Sequence, residues 1–437
     1  MAEPTAESRP GNHADDDDHA MLNVVAAAPE ILSESLSDYI GAWWKRIRSG
    51  ESGALPIIAG LIVIVIIFQS QNSKFLSSGN IVNLLVQATF FIVLGLAEIF
   101  ALLLGEIDLS VGFVAAVGGA LIAALVSSPY NWPLWAALIV GLGASALCGA
   151  LQGFLITKFR LPSFVVTLAG LLGFSGVLIY IFDVDPGSVG GVISIQNKVI
   201  YNLVNGNLSV WAGWIVLAVT IALFAVLMIS RTALRRSRGL TAPPLSITIF
   251  TIAVVAVAGV VLVIVCNVNR GILSPLQGVP WVIPVVMVII VVWSWFLSRT
   301  RSGRYIYAIG SSSEAARRAG VNVNWIRMLA FTLSGFTAGI AGLVYESRLG
   351  SISVGFDGGT YVLYAVAAAV IGGTSLTGGR GKAVHALLGG VVIAAVYNGL
   401  ALLGISTAGT EMATALVLLA AVAVDSLVRR RTTSAAK

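Results

Sequence analysis

The stretch LLGEIDLSVGF, Leu103 to Phe113, sets two carboxylates, Glu106 and Asp108, two residues apart between Gly105 and Gly112. Acids so spaced can share a proton, hold a cation, or accept from the free amides of a following helix. A third acid, Glu98 in GLAEIFALL, admits two readings, a substrate contact or a group near an interface. Hydrolytic chemistry lacks a base at membrane depth, because the histidines are His13, His19 and His385 alone. Phosphate chemistry fails on spacing. The run GGTSLTGGRGK, Gly372 to Lys382, puts Leu376 where a phosphate loop needs glycine and Ala383 where it needs Ser or Thr. The chain therefore reads as no enzyme, with ATP hydrolysis expected on another chain. Cys148 and Cys266 lie inside apolar runs and read as small buried hydrophobes.

The elements that carry these residues are set by composition. Hydrophobic residues make up 57% of the 437 and charged residues 11%, and mean hydropathy is +0.93. A soluble domain carries about a quarter charged residues, so an all-α polytopic membrane protein is expected. About twelve apolar segments can be drawn, enough for ten to twelve transmembrane helices: 54–69, 82–104, 110–128, 134–156, 163–182, 210–229, 245–266, 280–298, 327–345, 360–373, 383–404 and 409–428. The segment 360–373 is short and admits a full span or a re-entrant element. Threaded alternately from an inside N-terminus, 22 of the 26 Lys and Arg fall inside, leaving Lys74, Lys198, Arg270 and Arg348 outside. That asymmetry predicts cytoplasmic N- and C-termini. It also assigns the charge of +6 to loop placement and not to nucleic-acid binding.

Outside the spans, residues 1–28 are acidic and aperiodic, and a disordered cytoplasmic tail is expected. They lack the basic and apolar regions of a signal peptide, and His13, His19 and Asp15 to Asp18 read as solvated, with no metal site implied. Residues 29–49 have helical apolar spacing closed by Lys45, Arg46 and Arg48, which predicts an interfacial amphipathic helix. A transmembrane permease domain would occupy 50–430 and a cytoplasmic tail 431–437. The basic loop 231–244 suits anionic lipid. The outside stretches 183–209 and 346–360 are Gly-rich and polar; the first reads equally as a docking surface or a connecting loop.

No span has an internal Lys or Arg, and no relay of ionisable groups runs through successive spans, Glu98 being read as the exception. Amides, hydroxyls and aromatic rings remain to line a path, among them Asn398. Such a path suits an uncharged polar solute better than an ion. The opening motif has an echo: Gly105, Asp108, Leu109, Ser110 and Gly112 align with Gly372, Ser375, Leu376, Thr377 and Gly379. Paired Gly-interrupted segments in duplicated halves mark the working centre of many transporters, so an internal two-half repeat is expected. Asp108 and Ser110 are expected as cap and hinge residues near the translocation path, with Glu106 left open. Between two spans, SSSEAARRAG opens with capping residues and ends at Gly320, predicting a short helix shaped to seat in another protein's groove.

GEIDLSVG (105–112), YAIGSSSEAARRAGVNV (307–323), AAAVIGGTSLTGGRG (367–381) and NGLALLGIS (398–406) occur in one order. On these motifs the chain resembles the membrane permeases of bacterial ABC sugar importers, the ribose/xylose/arabinose/galactose permease family. Its length makes it most similar to the xylose-type members, the added material including 231–244 and 245–266. Two departures are Ser311 to Ser313, where the family often has Asn, and His385, where it has small or apolar residues. The resemblance implies an inner-membrane subunit that moves a small neutral sugar, a pentose such as xylose, by alternating access. It implies a second permease copy, an extracytoplasmic sugar-binding protein, and a cytoplasmic ATP-binding subunit that holds ATP and Mg, this chain carrying no cofactor. Glu314, Ala315, Ala316, Arg317, Arg318 and Gly320 would then couple to that subunit. A branched-chain amino-acid or nucleoside permease is the related alternative; an ion-coupled carrier is the alternative of another class.

Overall fold

The computed structural model describes residues 55–239, 242–271, 274–416 and 419. The expected tail 1–28, the helix 29–49, the tail 431–437 and the end of the last span lie outside them. Two compact units are present: one comprises Val219–Ala258, and the other the described parts of Ser49–Ala218 and Gly259–Lys437. In the first, Arg236 Nη2 donates to the Pro243 carbonyl at 3.0 Å and ties the turn between two helices.

The helices, in chain order, are α1 (Leu55–Gln71), α2 (Ser78–Leu103), α3 (Val111–Val126), α4 (Leu134–Phe159), α5 (Ser163–Val184), α6 (Lys198–Asn205), α7 (Val210–Ser237) and α8 (Leu245–Asn267). They continue as α9 (Val282–Arg299), α10 (Arg301–Ser311), α11 (Ser313–Arg318), α12 (Val323–Leu349), α13 (Gly358–Ile371) and α14 (Ala383–Leu402), with 407–416 also helical. Among the described residues eight are long and apolar enough to cross a membrane: α2, α4, α5, α7, α8, α9, α12 and α14. The chain is thus an all-α polytopic membrane protein, because in hydrocarbon the backbone must satisfy its own hydrogen bonds. Proline starts α4 and α5, at Pro133 and Pro162. Side chains cap others: Asn322 Oδ1 accepts from Trp325 N at 3.1 Å, and Asp357 Oδ1 from Thr360 N at 3.0 Å.

Helices α2 and α12 form the centre of the second unit. The most apolar window of α2 is 83% buried, against α3, α12, α13 and α14. Small residues let these helices touch backbone to backbone. A methyl built on Gly335 of α12 would stand 2.2 Å from the Ser145 carbonyl oxygen of α4. The short α13, at 14 residues, rises only about 21 Å, so the short segment 360–373 is a helix of less than bilayer thickness.

Two expectations change here. The outside stretch drawn from residue 346 starts too early, because α12 runs on to Leu349 and buries Glu346 and Ser347 completely. Glu346 is therefore a second buried acid in a span, beside Glu98; its carboxylate lies against Gly119, whose missing side chain makes the room. The two outside stretches also fold together. Strands β1 (Val192–Ser194) and β2 (Ser351–Ser353) pair antiparallel, Ile193 opposite Ile352, and α6 is tied to α12 by Asn205 Nδ2 donating to the Ser347 carbonyl at 2.6 Å.

A Gly335→Val chain should unfold with a stability loss of about 2 kcal/mol or more, since a packed backbone crossing cannot admit a branched side chain. Gly143→Ala, where the added methyl meets nothing within 4 Å, should leave the midpoint unchanged. Thermal unfolding in detergent measures both.

Candidate functional site

The loop after α2, residues 104–110, and the loop between α13 and α14, residues 372–382, carry the two echoing motifs, and they meet. Gly379 N donates to the Leu103 carbonyl at 2.9 Å. Gly105 and Gly378 face one another with φ of 78° and 84°, the left-handed region open to glycine. Side chains are excluded by distance as well: a methyl on Gly378 would lie 2.7 Å from Gly105 N and 2.8 Å from the Gly310 carbonyl oxygen. Within the second loop, Ser375 N donates to the Arg380 carbonyl at 2.8 Å, and Ser375 Oγ lies 2.9 Å from Thr377 Oγ1.

The third motif joins the same point. A methyl on Gly310 of α10 would stand 1.8 Å from the Leu103 carbonyl oxygen and 2.5 Å from Gly379 N. Tyr307 Oη donates to the Gly381 carbonyl at 2.8 Å. Burial raises this phenol above its usual range, so it stays protonated and donates. Beyond α10, Ser312 Oγ accepts from Ala315 N at 3.2 Å and starts α11. Gly320, at φ 82°, turns the chain into α12. Helix α11 buries Ala316 and exposes Glu314, Ala315, Arg317 and Arg318. Glu314 bridges its two arginines, 3.1 Å to Arg318 Nε and 3.8 Å to Arg317 Nη1. On the far side of α11, Arg327 of α12 pairs with Glu106 at 2.5 Å. Burial pushes the Glu106 carboxyl up and the Arg327 guanidinium pulls it back. The short helix is thus clamped before and after, by Gly310 and by Arg327, to the loop that ends α2.

Behind that clamp lies a buried polar network. Asp108 N donates to Glu98 Oε1 at 3.2 Å. Asp108 Oδ1 accepts from Ser110 N at 3.0 Å and Ser110 Oγ at 2.7 Å, while Ser334 Oγ lies 3.4 Å from Asp108 Oδ2. Ser110 Oγ accepts in turn from Gln152 Nε2 at 2.6 Å, and Thr167 Oγ1 donates to the Ile107 carbonyl at 3.2 Å. Five elements are joined: α2, the loop, α4, α5 and α12. Ser110 holds the N-cap position of α3, but its hydroxyl makes no capping bond; the expected cap is replaced by this side-chain network. Gly112 brings α3 against α13, since a methyl there would lie 2.1 Å from the Gly358 carbonyl oxygen. Gly372 packs as tightly on His385 of α14, where a methyl would lie 1.9 Å from the His385 carbonyl oxygen. His385 Nδ1 in turn accepts from Lys382 N at 3.3 Å.

Asn398 is not part of this assembly. It accepts from Asn80 Nδ2 at 2.8 Å, at the opposite end of α2, about 30 Å away along the helix. Sequence spacing also missed a ring cluster. Tyr361 packs on Phe90, Phe356, Tyr345 and Tyr364 with centroids 4.9–6.2 Å apart, and Tyr397 packs on Phe91 at 5.8 Å and Tyr364 at 6.5 Å. Tyr361 Oη lies 3.5 Å from Tyr345 Oη. These rings come from α2, α12, α13, α14 and the β2–α13 loop. The sequence signal for them is tyrosines among small residues in otherwise apolar spans. Among the described residues no group of three His, Cys, Asp or Glu side chains is placed to hold a metal ion.

A family model described as the permease component of branched-chain amino acid transport systems matches residues 80–423. The xylose transport system permease protein XylH of Escherichia coli (strain K12) is 33% identical over 389 residues, 89% of this chain and 95% of the relative. Its counterpart from Haemophilus influenzae is 31% identical over 376 residues, 85% and 95% of the two chains. The ribose import permease protein RbsC of Escherichia coli (strain K12) is 28% identical over 369 residues, 84% and 92%. No solved structure matches the chain.

Replacing Glu106 with Gln or Arg327 with Gln should each lower the unfolding midpoint, because each strands a largely buried partner. The double substitution should cost less than the sum, with a coupling of about 1–3 kcal/mol. A double-mutant cycle of thermal midpoints in detergent measures it, and additive effects would deny the clamp.

Proposed function

Because the chain belongs to the family of permease components of branched-chain amino acid transport systems, we propose that it is the membrane-spanning subunit of an ATP-driven importer for a small neutral sugar. The relatives whose names state a cargo carry xylose or ribose, so a pentose such as xylose is the cargo proposed. The observation that carries the reading is the clamp: one short exposed helix held on both sides to the backbone junction of the two glycine loops. A partner that pushes α11 moves the end of α2, the loop before α14 and the start of α12 together. That is the geometry a separate motor needs in order to bias a two-state path.

In this reading ATP and Mg bind the partner subunit and this chain carries no cofactor, in keeping with the failed phosphate-loop spacing. It sits in the bacterial inner membrane with both termini cytoplasmic, as the Lys and Arg distribution argues, and pairs with a second copy. The strand-paired loops on the opposite side receive a sugar-binding protein. The tyrosine cluster between α2, α12, α13 and α14 supplies ring faces and hydroxyls, the chemistry that contacts a polyol without a charge. Branched-chain amino acids are the second reading, from the family description alone, and they ask for partners to a substrate ammonium and carboxylate. Glu98 and Asp108 do not supply them, being buried and already engaged within the network.

Proteoliposomes holding the permease and its ATP-binding subunit should take up labelled xylose only with ATP and a loaded binding protein. Arg317→Glu with Arg318→Glu should lower subunit association and uptake at least about tenfold, by reversing the charge of α11. Uptake by this chain alone, driven by an ion gradient, would overturn the reading. Tyr361→Leu should cut uptake several-fold while leaving subunit association unchanged in the same preparation.

A further inference from the structure

A cavity of about 590 Å³ lies beside α11, and its polar lining comes from two places far apart in sequence. Thr157 and Arg160 stand at the end of α4; Arg317, Asn322, Asn324 and Arg327 belong to α11 and the start of α12. The three guanidiniums are not equivalent. Arg327 is paired with Glu106 and Arg317 with Glu314, which Arg318 also shares. Arg160 forms no ion pair among the described residues. The cavity therefore holds at least one positive charge that no described residue cancels. The first turn of α12 adds its partial positive charge.

Arg160 is also an unexpected residue for its place. It ends α4 at φ 55°, a left-handed conformation that glycine or asparagine adopts at lower cost. A long cation kept there points to use of its side chain. On the cavity wall, Leu161 is 43% exposed. Arginines grouped about a polar recess suit a protein-docking surface, where arginine is enriched. The positive cavity calls for an acidic group, and Arg317 of α11, the helix proposed to seat in the ATP-binding subunit, lines the same cavity, so an acidic side chain of that subunit is the occupant.

We propose that this cavity receives one Asp or Glu side chain of the ATP-binding subunit, which makes Arg160 a docking residue remote in sequence from α11. The inference rests on the reading of this chain as an importer permease and adds to it a second contact. It implies that the motor grips the α4–α5 turn and α11 at once, so both ends of the buried Gln152–Ser110–Asp108 network move with it.

The test measures association of the detergent-solubilised permease with its ATP-binding subunit for the unaltered chain, Arg160→Glu, Arg160→Asn, and Arg317→Glu with Arg318→Glu. Arg160→Asn removes the charge with a residue that tolerates the left-handed backbone, and a retained unfolding midpoint shows that the fold is intact. Both Arg160 variants should bind at least about tenfold more weakly. Replacing single acidic residues of the partner by lysine should identify one whose change restores binding to Arg160→Glu. Normal binding by Arg160→Asn, with loss in the α11 double variant, would overturn the inference and leave the importer reading intact. Normal binding by all variants would overturn both. Unchanged subunit binding with lost adsorption to phosphatidylglycerol vesicles would assign the cavity to lipid and overturn the proposal.

Discussion

The hydrogen bond from Gly379 N to the Leu103 carbonyl is the point on which the second unit depends. Inside a bilayer, backbone that leaves the helix must find its partners in protein. Here two non-helical loops, each interrupting apolar spans, satisfy one another and leave no room for side chains between them. Gly105, Gly310 and Gly378 are the residues that make so close an approach feasible. With any of them enlarged, the loops would separate and the bond between them would be lost.

From that junction the other features take their places. The loop from α2 cannot move without carrying Glu106, and Glu106 is paired with Arg327 at the start of α12. The same loop carries Asp108, whose carboxylate and amide join α2 to Ser110, Ser334 and, through Ser110, to Gln152. Acids that looked placed for proton or cation chemistry act as acceptors within a network that spaces helices. Their burial would be costly without those donors, which ties each acid to the elements that supply them. The exposed α11 is the one short element fastened to this centre from both sides.

Much of this was legible before any coordinates. The apolar runs, the capping Ser312, the terminating Gly320 and the weakness of 360–373 as a full span are local properties, carried by composition, propensity and hydrogen-bonding groups close in sequence. The echo between the two glycine motifs was legible as a pattern. That they touch was not, since a pattern carries no distance. Glu346 was misread because the polar run ESRLGS resembles a loop; its burial depends on Gly119 of another helix leaving space beside it. The hydroxyl of Ser110 was expected to cap α3, but Gln152, forty-two residues away, competes for it.

The sequence by itself determined the class of the protein: hydrophobicity and chain periodicity demand membrane-crossing helices. It also determined that Ser312 opens α11, because that cap is a matter of three residues. Only the tertiary structure decided which polar groups are partners, which rings gather around Tyr361, and that Arg160 shares a cavity with Arg317. Those relations join residues from tens to hundreds of positions apart, and they are settled by how closely small residues let the helices pack.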